Sequence, residues 1–118
     1  MNDEQLKELE LKVEEVKLAL SKKYNKKVYA YIVTVDDAES VDGKYAVIYV
    51  KEPERMVKLR VLDIATTQGV TTAGDTLLAA CLCEESDRRI HTNDALYITM
   101  IMNVMDLVQL YSDVIKKK

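Results

Sequence analysis

Two runs in the middle of the chain, VYAYIVTV from Val28 and KYAVIYV from Lys44, are apolar on both sides. Successive side chains of a strand alternate faces, so Val28, Ala30, Ile32 and Thr34 share one side and Tyr29, Tyr31, Val33 and Val35 the other. In the return run Tyr45, Val47 and Tyr49 stand opposite Ala46, Ile48 and Val50. β-Branched and aromatic residues dominate both runs, which predicts two strands over 28–35 and 44–51. Between them lies a short acidic stretch with Asp36, Asp37, Glu39 and Asp42-Gly43, a loop that joins adjacent strands as an antiparallel hairpin. A two-stranded ribbon alone is marginal in water, and this one has no polar face to leave wet. Either helices of the same chain cover both faces, or a partner or second copy covers one.

Helical patterns flank the hairpin. From Asn2 to Lys23, Leu6, Leu9, Val13, Val16 and Leu20 recur at spacings of three and four, the pattern of an a/d seam, with Leu11 and Leu18 widening the stripe. Such a helix either docks on the domain or forms a short coiled coil between copies. Pro53, which has no N–H for a ladder and a φ suited to a first helical turn, ends the second strand and opens a helix from about Glu54 to Gln68. In that helix Met56, Leu59 and Leu62 share one face, Val57, Val61 and Ile64 a neighbouring one, and Gly69 is the stop. Thr72 with Asp75 resembles a capping box for a third helix that buries Leu77, Leu78, Cys81 and Leu82, its first turn weakened slightly by Gly74. After the charged break from Glu84 to Arg89, Thr92 or Asn93 caps a last helix from Asp94 to about Ile115. Its seam is Tyr97, Ile101, Val104, Val108, Tyr111 and Ile115. The order predicts an α+β fold: an N-terminal amphipathic helix, one antiparallel hairpin, and three helices packed on it. One domain spans 1–118, with 1–23 as an oligomerisation or docking arm and 24–118 as the core.

At 118 residues, with a net charge of −3 and a pI near 5.2, the chain lacks the basic footprint that nucleic-acid binding asks for. The N-terminal MNDEQLKELE is charged from Asp3 onward, and no apolar run approaches the roughly 20 residues that span a bilayer. Neither a signal peptide nor a membrane partner is expected. Cys81 and Cys83, two apart on a helix, diverge too far for an intramolecular bridge, and reduced thiols fit a cytoplasmic protein.

Little in the chain suggests a reaction. Cys81, Cys83 and His91 offer three soft ligands where structural zinc takes four, so no metal or other cofactor is expected. Cys81 on an apolar helix face and His91 in a polar loop read as a buried thiol and an exposed imidazole rather than a nucleophile pair. The acidic loop lacks the ligand spacing of a calcium loop, and the glycines at 43, 69 and 74 are too scattered to cradle a phosphate. The surplus of apolar faces points instead to protein binding. Tyr29, Tyr31, Tyr45 and Tyr49 are candidate contacts, because tyrosine pairs a large apolar area with a polar tip; covering the domain's own helices is the alternative.

From Tyr24 onward the chain resembles small phage and prophage proteins of the tail assembly chaperone type, as carried by Bacteroides-like prophages. The landmarks are Tyr24, the aromatic strand from Val28 to Val35, Lys51-Glu52-Pro53-Glu54-Arg55, Ala65, Leu77, Leu78 and Cys81. They continue with the charged segment into Ile90, and with Asn93-Asp94 opening a last helix that ends in lysines. Relatives often show Arg-Lys-Pro-x-Arg where this chain has Lys51 to Arg55, and a glycine-containing turn where it has Glu84-Glu85-Ser86-Asp87. The resemblance implies a non-enzymatic protein of the bacterial host cytoplasm that coats the helices of a tape-measure-like client and later leaves. A homo-oligomeric structural or adaptor protein, and a small enzyme using Cys81 or His91, are the other readings.

Overall fold

The computed structural model describes residues 3–35 and 43–108. At its centre β1 (Val28–Thr34) pairs antiparallel with β2 (Tyr45–Lys51), Tyr31 facing Ile48 and Val28 facing Lys51. Asp36, Asp37, Glu39 and Asp42 of the acidic loop lie outside the described residues. Gly43 enters β2 with φ +89°, a conformation that costs a glycine little.

The register sorts the hairpin into two faces, and each has its own core. Val28 and Tyr49 are buried with Val13 and Leu20 of α1 (Asp3–Tyr24), with Ala30, Ile32 and Val47 packed alongside. On the other face Val35, Ala46, Ile48 and Val50 are buried with residues of α2 (Arg55–Thr67), α3 (Val70–Cys81) and α4 (Asp94–Val104), and Tyr31 and Val33 pack at their margin. The chain therefore covers both faces of its own ribbon. The sheet is the middle of three layers, and none of the described helices is long and apolar enough to cross a membrane.

α1 docks through its seam: Val13 and Leu20 are buried, and Leu9 and Val16 pack beside them. Leu11 and Leu18 do not widen this stripe. At about 100° per residue they fall opposite the seam, and they stand 70% and 57% exposed. The helix ends with Asn25 at φ 53°, a left-handed stop that asparagine tolerates, while the Lys26 N–H reaches back to the Ser21 carbonyl at 3.2 Å. Glu85 pins this end to the far loop, accepting from Lys23 Nζ at 2.5 Å and from the Tyr24 hydroxyl at 2.7 Å.

In α2 the inward side chains are Val61, fully buried, with Val57, Leu62, Ile64 and Ala65 against the core, whereas Met56 and Leu59 lie on the solvent side. α3 starts directly after Gly69, whose carbonyl accepts from Ala73 N at 3.2 Å. Thr72 is thus inside the helix and does not cap it, since Gly69 has already turned the chain. Asp75 instead accepts a hydrogen bond from the Tyr97 hydroxyl of α4. Gly74 is more than a weak start: a Cβ there would lie 2.6 Å from both Cγ2 and the carbonyl oxygen of Ile101, so its bareness lets α3 and α4 touch. Asn93 caps α4, its Oδ1 accepting from Leu96 N at 3.1 Å. Leu96 and Met100 join Ile101, Val104 and Val108 in the core, so the buried stripe is shifted from the expected seam and Tyr97 sits at its edge. A 3-10 turn, Met105–Val108, follows α4; Tyr111 and Ile115 of the expected seam lie outside the described residues.

The charged break from Glu84 to Arg89 closes the outer edge of β2. Leu82 bridges Val50, Cys83 N donates to the Tyr49 carbonyl at 2.9 Å, and Asp87 N donates to the Val47 carbonyl at 2.9 Å. Buried Ser86 receives the Tyr49 N–H at 2.9 Å and donates back to the Tyr49 carbonyl at 3.1 Å. Arg89 donates to the Gly43 and Tyr45 carbonyls at 2.7 and 3.1 Å and holds Asp87 at 2.8 Å. Its guanidinium keeps the Asp87 carboxyl below the usual range.

Gly74→Ala is a direct check on the α3–α4 contact. In an exposed helix the change gains about 1 kcal/mol, but overpacking against a backbone carbonyl costs about 1–3 kcal/mol. A lowered urea midpoint is expected; an unchanged or raised one would show that the helices do not meet at this point.

Candidate functional site

The four tyrosines do not form one surface. Tyr29 and Tyr31 belong to the face that meets α2 to α4, and Tyr45 and Tyr49 to the face that meets α1. Tyr49 is only 6% exposed and offers little to a partner. Tyr29 donates its hydroxyl to Glu52 and lies 4.9 Å beneath the Lys27 ammonium; the bond to the carboxylate pushes its pKa to about 12. Tyr31 is half-buried against the helical core, and burial, then the charge of Asp106, raises its phenol. Tyr45 is half-buried, with Lys44 5.9 Å from its ring.

The two cysteines are split by the sheet. Cys81 belongs to the core of α2 to α4, Cys83 to the core beneath α1, and both are buried. Burial pushes both thiols up, away from the thiolate that a nucleophile or a metal ligand needs. His91 is exposed at the end of the 3-10 turn Arg88–His91. His91 and Cys83 do line one cleft of about 400 Å³, together with Leu78, Ala79, Leu82, Glu84 and Tyr97. Ala79, Leu82 and Tyr97 give it accessible apolar walls, bordered by one imidazole and one carboxylate. A smaller cavity of about 130 Å³ lies between the end of β1 and α4, among Val33, Val35, Ala95, Leu96 and Thr99. Among the described residues no group of three or more His, Cys, Asp and Glu could hold a metal ion.

Large apolar side chains stand on helix surfaces turned away from the core: sequence reading assigned Met56, Leu59, Leu11 and Leu18 to the apolar stripes and did not single out Ile98 and Met102. Met56 and Leu59 are three apart on α2, Ile98 and Met102 four apart on α4, and all four are more than half exposed. Side chains at these spacings lie on one helix face, so each pair makes a local apolar patch. Leu11 and Leu18 make a similar pair on α1. The signal was present as apolar residues off each helix's main stripe, but only packing decides which stripe is buried. No protein-family model, curated protein or solved structure matches this chain.

The thiol placement has a simple readout. In native protein at neutral pH, Ellman's reagent should label neither Cys81 nor Cys83 appreciably, and labelling should rise only with unfolding or above the ordinary thiol range of about 8.5. Rapid native labelling of Cys83 would mean that the cleft opens onto a reactive thiol.

Proposed function

We propose that the chain is a non-enzymatic assembly chaperone of the phage-tail type, acting in the bacterial host cytoplasm by holding amphipathic helices of a tape-measure-like client. The observation that carries this reading is the set of outward apolar pairs, Met56 with Leu59 and Ile98 with Met102. Core formation does not require them, because the buried clusters are complete without them. Helix recognition works through anchors at i, i+3, i+4 and i+7, and methionine adapts to varied partners. A client presenting many unlike helices is suited to such a surface. The hollow beside Ala79, Leu82 and Tyr97 supports the same reading, as a socket for one client side chain. The buried position of Tyr49 moves the proposed contacts from the hairpin to the helices.

Co-expression with a neighbouring tape-measure gene tests this. The long protein should be markedly more soluble with the chain than without it. Met56→Ser with Leu59→Ser, or Ile98→Ser with Met102→Ser, should abolish most of that gain while leaving the far-UV circular dichroism and urea midpoint nearly unchanged. Equal client solubility with and without the chain would end the chaperone reading, and undiminished protection by both double variants would end the assignment of these surfaces.

A further inference from the structure

The hairpin has one closed edge and one open edge. In its ladder the bonds Val35 N to Lys44 O at 2.6 Å and Glu52 N to Lys27 O at 2.8 Å show that odd-numbered residues of β1 pair with even-numbered residues of β2. The backbone groups of Tyr45, Val47 and Tyr49 therefore point outward from β2, where Cys83, Ser86, Asp87 and Arg89 take up the three carbonyls and the Tyr49 N–H. By the same alternation Ala30, Ile32 and Thr34 point their N–H and C=O groups outward from β1, and among the described residues none of these receives a hydrogen bond. Natural edge strands are protected by charge, proline, a bulge or a cover. β1 reads VYAYIVT, without charge or proline, and pairs one to one with β2 along its length, without a bulge.

We propose that β1 is a dimerisation edge, pairing antiparallel with β1 of a second copy across a two-fold axis at Tyr31 to make a continuous four-stranded sheet. The strand is self-complementary in this register. Ala30 meets Ile32 of the second copy on each side of the axis, each such pair exchanging both N–H···O bonds, and these are residues whose groups are free; Val28 is fully buried under α1 and lies beyond the paired stretch. The small alanine faces the large isoleucine on the α1 side. Tyr31 meets its own copy as a non-hydrogen-bonded pair with Cα atoms about 4.5 Å apart, the closer of the two cross-strand geometries and one that favours aromatic pairs. A two-fold contact of this kind is isologous and closes on itself, which stops the open edge from templating fibres.

Sedimentation of the full chain should give a dimer, and Tyr31→Cys should form an intermolecular disulfide under mild oxidation where Tyr29→Cys does not, because only position 31 faces itself. Ile32→Pro removes one outward N–H without touching the ladder to β2 and should convert the dimer to a monomer with its circular dichroism retained. A wild-type monomer at the highest soluble concentration would overturn the proposal, as would a folded Ile32→Pro variant that stays dimeric. Should Ile32→Pro fail to fold, the cross-link decides: bridging at 31 and not at 29 upholds the register, and no bridging at 31, or equal bridging at both, refutes it.

Discussion

A two-stranded ribbon with no polar face is the constraint that organises this protein. Every inward residue of the hairpin must be kept from water on one side or the other, and two strands cannot shield themselves. The chain meets the demand by placing one helix before the ribbon and three after it, so that α1 takes the face of Val28 and Tyr49 while α2 to α4 take the face of Ile48 and Val50. The same demand explains the far loop. Leu82 to Arg89 takes up the outward carbonyls of Tyr45, Val47 and Tyr49 and the Tyr49 N–H, and Glu85 ties the end of α1 to that loop, so one segment links both layers through the sheet edge.

The helical layer depends on a second close contact. Leu77, Leu78, Met100 and Val104 are fully buried because α3 and α4 approach until Gly74 meets the Ile101 backbone. A closed interior leaves the outer faces of α2 and α4 free to carry Met56, Leu59, Ile98 and Met102, which a chain with a looser core would have drawn inward. The exposed apolar surface of α2 and α4 is in this sense a product of how tightly the core is shut.

Much of the fold was legible in sequence. Period-two alternation placed both strands, Pro53 and Gly69 bounded α2, and Asn93 marked the start of α4. Errors arose where a local signal competed with tertiary packing. Thr72 and Asp75 imitate a cap, but Gly69 had already begun the helix; Leu11 and Leu18 look like part of a wide stripe, but the sheet takes only the seam of Val13 and Leu20. Gly74 reads as a helix weakness until Ile101 is placed against it. The edge closure by Ser86, Asp87 and Arg89 joins residues some forty positions apart and leaves no periodic trace. Candidate contacts were the least legible, since four tyrosines close in sequence fall on two faces of one sheet, and exposure of the outward pairs follows only from knowing which face each helix buries.

Urea unfolding of paired alanine variants of α1 tests whether this helix is the structural cover for one face of the hairpin. Leu20→Ala, at the buried contact with the sheet, should cost about 2–5 kcal/mol, whereas Leu18→Ala, two residues away on the solvent side, should change stability by no more than about 0.5 kcal/mol. Equal losses for both, or no loss for Leu20→Ala, would mean that α1 does not cover the ribbon and that the face of Val28 and Tyr49 is shielded by something else.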